Sequence, residues 1–312
     1  MECIQLREIH LDQAYAIMRL SYEAERAKTK ELPEINHTPD LGYFVKNAYA
    51  VGMVEGDTLI GYLCAYPPIE DAFGTTGVRG TFIPVHAHGV VGNRRKKVYD
   101  LLYQGLAKCL VEDGIFSHAI ALYVHDHDAI DCFFTNGFGM RCMDSIRAID
   151  ADRPIHPTAV EVMELDRNES PSILALRNGL IRHLSLSPTF LKYPMMSDQQ
   201  LIDSIQRRDS RIFIARHSSE IVAYVEVMAD GENFITEEKG MMNICGAFCL
   251  PEYRKSGIVD ELLAYLERTL HQEGFSLLGV DFESFNPTAR EFWGKHFTPY
   301  TVSLVRRIDE KR

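Results

Sequence analysis

The sequence predicts an α+β, or mixed α/β, protein made of two similar domains, each with a central sheet flanked by helices. The chain has 312 residues, about twice a typical domain of roughly 150 residues. Its 46% hydrophobic and 25% charged residues are typical of a globular protein. Segments of the first half also recur in the second half at a nearly constant offset, which indicates a repeated fold.

The repeat is visible as matched segments. Ile4 matches Val160, Asp100 matches Glu261 and Phe133 matches Phe292, at offsets of 156, 161 and 159 residues. In each half, two alternating strands joined by a polar turn predict a hairpin, over Tyr49–Tyr66 and over Arg211–Met228. The charged, proline-containing segment Asp150–Pro157 is typical of an exposed linker. We therefore predict a first domain over residues 1–152 and a second over residues 158–312.

Each half is predicted to run strand, helix, long loop, three strands, amphipathic helix, strand, short helix, strand. This order favours one central sheet per domain. Two long loops contain prolines, Lys28–Phe44 in the first half and Ser185–Asp198 in the second. Loops of this length are candidate walls of a substrate site or plain surface connections.

Charge and cysteine content limit the partners and the compartment. The net charge of −11 argues against nucleic acid and anionic membranes as partners. No run of eighteen apolar residues exists and the amino terminus is charged, so we expect a cytoplasmic protein. The seven scattered cysteines indicate reduced thiols, and Cys245 and Cys249 lack the further ligands of a zinc site. No metal is expected.

A turn in the second half has the features of a phosphate cradle. Met242–Leu250 is a nearly continuous apolar strand, Pro251 breaks it, and apolar residues recur at helical spacing from Ile258. Arg254–Gly257 therefore precedes the amino end of a helix, where free N–H groups and the helix dipole attract anions. Gly257 lets phosphate oxygens approach closely. The turn suits a pyrophosphate.

A second element follows about thirty residues later: the strand Leu277–Phe285, then Asn286 and a short helix. The turn Arg254-x-x-Gly257-x-Val259 and the segment Asn286-x-x-Ala289-x-x-Phe292-Trp293 together resemble the GNAT acyltransferase superfamily, in particular its two-domain members. This resemblance covers nearly the whole second half and implies two tandem GNAT domains with acetyl-CoA, or another acyl-CoA, as the donor. Val259 departs from the small residue of the family pattern, and Trp293 stands where the family often has a Tyr.

The resemblance also implies the site residues. The expected contacts of the acyl donor are Phe248, Cys249, Leu250, Arg254, Lys255, Ser256, Gly257, Ile258, Val259 and Asn286. Backbone N–H groups near Phe248 and Leu250 are expected to polarise the thioester carbonyl. Glu283 or Asp281 is the candidate base, although both can instead cap a helix or pair with Arg290 or Lys295. Tyr300 is a candidate proton donor to the thiolate, or an ordinary core aromatic.

The first half resembles the same family but departs from it at the turn. By alignment of the halves, Lys96 stands at the position of Gly257, and His127 at that of Asn286. Arg94–Lys97 can still attract phosphate, yet a long side chain fills the space that the cradle needs. We expect a degenerate domain kept for structure or for the acceptor pocket.

Four histidines of the first half allow a second interpretation. His86, His88, His125 and His127 form two His-x-His pairs on strands predicted to be neighbours, so a metal site is geometrically possible. The alternative is that they are polar residues hydrogen-bonded to Asp126 or Asp128.

The function expected from the resemblance is N-acetyl transfer to an amine by the second domain. The acceptor, a small molecule or a peptide, is not identified by the sequence, although an acidic protein favours a cationic one. The alternatives are a non-catalytic acyl-CoA-binding or scaffold protein and, third, a phosphate or nucleotide sensor that uses Arg94–Lys97. Either a monomer or a homodimer is compatible with the sequence.

Overall fold

The computed structural model describes residues 1–46, 49–74, 76–154 and 157–308. They form two compact units. The first contains the described residues of Met1–Asp144 and Pro299–Arg312, and the second is Ser145–Thr298. Among the described residues, no helix is both long enough and apolar enough to cross a membrane.

The first unit begins with one strand and two helices and then alternates strands with helices. Its elements are β1 (Glu2–Gln5), α1 (Leu11–Arg26), α2 (Gly42–Lys46), β2 (Ala50–Glu55), β3 (Thr58–Cys64), β4 (Gly80–Ile83), β5 (His88–Val90), α3 (Arg95–Glu112), β6 (Ser117–Tyr123) and α4 (His127–Thr135). Strands β1, β2, β3 and β5 pair antiparallel in that order. Strand β6 pairs parallel with β4. The next strand, β7 (Gly139–Ala148), carries the chain into the second unit.

The second unit repeats this order. Its elements are β8 (Glu161–Leu165), α5 (Leu174–Ser185), α6 (Asp198–Arg208), β9 (Arg211–His217), β10 (Glu220–Met228), β11 (Met241–Cys249), α7 (Ile258–Gln272), β12 (Leu277–Glu283) and α8 (Pro287–His296). The strands lie in the order β12-β11-β10-β9-β8. The pair β11 and β12 is parallel, and the other pairs are antiparallel. The predicted mixed α/β fold is thus confirmed.

The periodic patterns of the sequence correspond to these elements. Strands β2 and β3 form the first predicted hairpin, and β9 and β10 form the second. Helix α7 buries one apolar stripe: Ile258, Leu262, Leu263, Leu266 and Leu270. These positions recur three or four residues apart, which places them on one face of a helix. The burial of this stripe holds α7 on the sheet, where it packs against β8, β9 and β10.

The structure divides the chain differently from the predicted boundaries. The last strand, β13 (Thr298–Arg307), lies in the first unit, where it pairs antiparallel with β6 from Thr301↔Tyr123 to Arg307↔Ser117. Conversely, the second unit begins at Ser145, within β7. The predicted linker is mostly exposed, and its residues Ile155 and His156 lie outside the described part of the chain.

Specific contacts explain why the end of β7 belongs to the second unit. Arg147 Nε lies 2.9 Å from Glu267 Oε1 of α7, whose side chain is fully buried. The Ile149 N–H also donates to the Ser276 carbonyl at 2.9 Å. A buried carboxylate needs such a partner because burial disfavours its charged form. The alternating sequence of β7 predicts a strand but does not encode this partner.

Candidate active site

The second unit has a cleft at the point where β11 and β12 separate. Their parallel pairs run from Met241↔Leu277 to Ile244↔Val280, and in the described structure their pairing stops there. On the other side, β11 follows β10 to Cys249, but Glu226 faces Gly246 while Val227 faces Ile244. Cys245 is therefore the extra residue of a β-bulge, which bends a strand. The bulge marks where the cleft opens.

The backbone of β11 presents hydrogen-bonding groups to this cleft. The Leu250 N–H donates to the Val222 carbonyl on the β10 side at 2.9 Å. Because N–H groups along a strand point alternately to its two edges, those of Ala247 and Cys249 point into the cleft. Of the N–H groups near Phe248 and Leu250, that of Leu250 is thus engaged by β10, and that of Phe248 points the same way.

The turn after β11 has a left-handed conformation at two positions. Lys255 has φ 63° and Gly257 has φ 86°. Gly257 is the N-cap of α7, and because it has no side chain, the first N–H groups of the helix, from Ile258 on, are left open to an anion. Ser256 turns its hydroxyl back to the Tyr253 carbonyl at 2.5 Å. The predicted cradle is therefore a backbone surface, with the Ile258 side chain itself buried.

Negative charges beside this turn are engaged by other groups. Glu261, in the first turn of α7, accepts the Thr158 N–H at 2.8 Å and the Thr158 hydroxyl at 2.7 Å. Asp260 lies 3.5 Å from Arg153 and 3.3 Å from His296. These contacts reduce the repulsion that two carboxylates at a helix amino end exert on a bound anion.

Arg254 lies at the end of β11 rather than in solvent. Its Nε donates to the Cys249 carbonyl at 3.1 Å, and its guanidinium lies 5.4 Å from the centroid of the Phe248 ring. Burial raises the pKa of the Cys249 thiol to about 11, although Arg254 opposes this shift. Burial likewise raises the pKa of Cys245 to about 12. Neither thiol is a thiolate at neutral pH, which argues against a cysteine nucleophile here.

The other side of the cleft carries the predicted carboxylates. Asp281 is exposed and Glu283 is half-buried, two residues apart on one face of β12. Of the cations nearby in sequence, Arg290 donates to the Ser284 carbonyl at 2.8 Å, and Lys295 lies 3.2 Å from Glu291. Asn286 is the N-cap of α8, and its side chain accepts the Ala289 N–H at 3.3 Å.

Two aromatic residues of the sequence analysis, Tyr300 and Trp293, are buried. Tyr300 belongs to the first unit, where it is 1% exposed on β13 and its carbonyl accepts the Val124 N–H at 3.0 Å. Trp293 is buried and packs edge to face on Phe292 and Phe297, as a core residue does.

Sequence reasoning missed His183, near the end of α5. Gly179 lies so close to β11 that a Cβ there would be 2.8 Å from the Phe248 ring. His183, one helical turn further on, has its ring centroid 6.5 Å from that of Phe248 and lies within hydrogen-bonding reach of Asn286. The spacing of four residues places Gly179 and His183 on one face of a helix. Only the fold shows that this face meets the cleft.

A buried ion pair beneath the bulge was also missed. Arg177 of α5 lies 2.8 Å from Glu226 of β10 and 3.3 Å from the Tyr224 hydroxyl. Ser210 donates to the other oxygen of Glu226 at 2.8 Å. A Cβ at Gly246 would lie 2.4 Å from the guanidinium, so the bulge requires glycine at this position.

The first unit opens a comparable cleft but fills it with its own side chains. Its β4 pairs with β6, whereas β5, after Pro84, pairs with β3. His88 spans from β5 to β6, with Nε2 2.8 Å from the Ala121 carbonyl oxygen and Nδ1 3.4 Å from the Tyr99 hydroxyl. Arg95 binds the Val90 carbonyl and Asp126.

The helix after this cleft also replaces the phosphate turn. Helix α3 begins at Arg95 and α7 at Ile258, yet both are followed by a glycine of positive φ, Gly114 and Gly274. When α3 and α7 are aligned on these glycines, Lys97 rather than Lys96 corresponds to Gly257. Because Lys97 lies inside α3, the first unit has a helix where the second unit has the phosphate turn. A groove of about 480 Å³ beside Arg94–Lys97 remains, but Arg94 pairs with Glu55 at 2.7 Å and Lys96 pairs with Asp131.

The remaining correction concerns the end of β6. Asp126 is the N-cap of α4 and accepts the Ala129 N–H, so Asp126, not His127, corresponds to Asn286. His125 lies 2.7 Å from Glu25 of α1, instead of bonding Asp126 or Asp128. Helix caps depend on backbone conformation, which an alignment by residue type does not show.

Comparisons with known proteins agree with this architecture. A sequence model of the acetyltransferase (GNAT) family matches residues 179–297. Among solved structures, a GCN5-related N-acetyltransferase from Sphaerobacter thermophilus is 11% identical, with a TM-score of 0.60 over 98% of this chain and 95% of the other. A tandem GNAT protein from the clavulanic acid biosynthesis pathway is 12% identical, with a TM-score of 0.51 over 98% of both chains. A search of curated proteins found no match.

Proposed function

Since this chain is a GNAT-superfamily protein with the family domain in its second unit, we propose that the second unit transfers an acetyl group from acetyl-CoA to an amine. The observation that carries this proposal is the alignment of two backbone features: the cleft edge at Ala247 and Cys249, and the open amino end of α7 at Gly257.

The chain's residues fit the acyl donor in shape and charge. Among the described residues, a Cβ at Gly257 would have only Thr158 nearby, at 3.6 Å, so these residues leave the approach to the helix end open. The N–H groups of the first turn of α7 and the side chains of Arg254 and Lys255 offer donors and positive charge for a diphosphate. The N–H groups of Ala247 and Cys249 can bind an extended amide chain along the edge of β11.

The same edge supports catalysis of acyl transfer. Thioester attack places negative charge on the carbonyl oxygen, and preorganised N–H donors that face this oxygen stabilise that charge. Among the N–H groups near Phe248 and Leu250, that of Cys249 is our candidate donor, because it faces away from β10. The enzyme supplies this donor without reorganisation because β11 is held by β10.

The acceptor is proposed to be a cationic amine. Asp281 and Glu283 place negative charge on β12, and the whole protein carries a net charge of −11. An amine with a pKa near 10.4 must lose a proton before attack, which at pH 7 costs about 4.6 kcal/mol. Glu283, the less exposed of the two carboxylates, is our sequence-based candidate for the residue that receives this proton.

Two measurements test the proposal. Isothermal titration with acetyl-CoA should show binding, and release of free thiol should rise with at least one member of a panel of primary amines and polyamines. The variant Gly257→Glu should lose binding at least tenfold, because a carboxylate then occupies the helix end. Equal binding by this variant contradicts the proposal.

One observation favours a second candidate, a non-catalytic acyl-CoA-binding protein. The position where the family often has a Tyr is the buried Trp293, and Tyr300 lies in the other unit. This candidate predicts acetyl-CoA binding without thiol release for every amine in the panel. Because a thiol has a pKa near 8.5, its anion is a tolerable leaving group without an acid, so we favour catalysis.

A further inference from the structure

We propose that His183 accepts the proton of the acceptor amine in the second unit. The proposal rests on the acyl transfer proposed above and assigns a residue to its proton step. It concerns a helix that the sequence patterns did not connect with the cleft. Four observations support it: the position of the ring, its electrostatic surroundings, the chemistry that it offers and a related arrangement in the first unit.

The position of His183 is fixed by the packing of α5 on β11. Gly179 allows this close approach, since any side chain there would meet the Phe248 ring. One turn later, the imidazole lies beside Phe248 of β11 and within reach of Asn286, which follows β12. The ring therefore lies near residues from both sides of the cleft, and it is only half-buried.

The groups around the ring keep it neutral. Three groups face the ring: the positive charge of Arg254 in the turn after β11, the Asn286 side chain at the end of β12, and the uncharged Phe248 ring of β11. Burial and Arg254 lower the pKa of His183 below its ordinary value, against the opposing effect of Asn286. A histidine with a pKa below 6.5 carries a free lone pair at pH 7.

A neutral imidazole suits this step better than a carboxylate does. The efficiency of a general base is greatest when its pKa lies near the working pH, whereas an ordinary carboxylate is a much weaker base. The amine lone pair forms the C–N bond, the C–S electron pair leaves with the coenzyme A thiolate, and the amine proton moves to the free ring nitrogen of His183. The imidazolium then returns the proton to the thiolate or to water.

The first unit brings ionisable groups together at the related place. Glu25, near the end of α1, is 2% exposed and lies 2.7 Å from His125 Nδ1. His125 immediately precedes the N-cap Asp126 of α4, just as Phe285 precedes the N-cap Asn286 of α8. In both units, an ionisable side chain from the end of the first long helix thus reaches the start of the last helix.

The test compares His183→Gln with His271→Gln, a matched change at an exposed histidine at the far end of α7. Thiol release from acetyl-CoA is followed with the amine panel between pH 5 and 9, and acetyl-CoA binding is measured by calorimetry. We expect His183→Gln to lower kcat/KM by about 10² to 10⁴, to bind acetyl-CoA within twofold of the unchanged protein, and to lose the acid inflection of the pH profile. His271→Gln should retain all three properties.

The outcomes separate this inference from the proposed function. If the unchanged protein releases thiol and His183→Gln keeps its rate, or keeps the acid inflection at a lower rate, His183 is not the proton acceptor and the transferase assignment stands. If Glu283→Gln alone removes the inflection, the carboxylate is the base. If the unchanged protein releases no thiol with any amine, both proposals fail. Partial recovery of a His183→Ala variant by added imidazole would support the inference directly.

Discussion

Arg177 of α5 and Glu226 of β10 form an ion pair of 2.8 Å directly beneath Gly246. Both side chains are buried. The Tyr224 hydroxyl accepts a hydrogen bond from the same Arg177 nitrogen, and Ser210 donates to the second oxygen of Glu226. The pair thus links the helix that carries His183 to the bulge at which the cleft opens. Two predictions concern this link.

Removing one partner should destabilise the second unit strongly. Arg177→Met leaves Glu226 buried without a countercharge, which costs about 3 to 5 kcal/mol. The double variant Arg177→Met with Glu226→Gln should recover much of this loss, since no net charge remains buried and Ser210 still has an acceptor. Urea unfolding followed by circular dichroism measures both. A double variant that is no more stable than Arg177→Met would contradict the account of an uncompensated charge.

A methyl group at the bulge should displace the same pair. Gly246→Ala places a Cβ 2.4 Å from Arg177 Nη1, and we expect overpacking to cost about 1 to 3 kcal/mol and thiol release to fall. The matched control is Gly294→Ala in α8, where a Cβ would meet no atom of the described residues within 4 Å beyond its own helix backbone and chain neighbours. A helix gains about 0.5 to 1 kcal/mol from this change. Equal stabilities of the two variants in urea would contradict the prediction.

The phosphate turn allows a matched comparison of two glycines on one helix. Gly257 and Gly274 flank α7 at φ 86° and φ 93°, so alanine at either should cost about 1 kcal/mol of backbone strain. Only Gly257→Ala should also weaken acetyl-CoA binding in calorimetry, because only that methyl group stands at the open helix end. If Gly274→Ala weakens binding as much, strain rather than the cradle explains the loss.

Much of the local structure was predictable, but the partners of strands were not. Hydrophobic periodicity gave α7 and the two hairpins, because one face of each element must be buried. The bulge at Cys245 depends on the register between β10 and β11, which the apolar run Met242–Leu250 does not encode. The position of β13 was missed for a similar reason: an alternating strand shows which face is buried, not which neighbour it pairs with.

The candidate site was predictable where local chemistry defines it. Arg254, Gly257 and Asn286 lie at a turn and a helix cap, which sequence signals mark well. Arg177 and Glu226 are 49 positions apart, and only the packing of α5 on the sheet joins them. For the same reason the sequence alone does not connect His183 with the cleft.

The first unit should lose stability in mild acid. Burial lowers the pKa of His86 and of His118 to about 4. Between pH 6.5 and 4 the unfolded chain binds protons at these histidines and the folded chain does not, so stability falls as the pH decreases through this window, by up to about 3 kcal/mol each. Above pH 6.5 the two histidines contribute no pH dependence.

Urea unfolding at pH 7 and pH 4.5 tests this. His118→Gln should reduce the difference in unfolding free energy between the two pH values by about 2 to 3 kcal/mol. The exposed control His271→Gln should retain the full difference. An unchanged difference in His118→Gln would show that His118 is not the source of the acid sensitivity.

The place of β13 bears on how the chain is made. Thr301 lies opposite Tyr123, 178 positions earlier in the sequence. During synthesis on the ribosome, β6 emerges after β4, its neighbour on one side. Its neighbour on the other side, β13, is translated only after the entire second unit. Until then the nascent first unit exposes an open strand edge, which is a template for pairing with other chains. The unit that is synthesised first is therefore the one that is completed last.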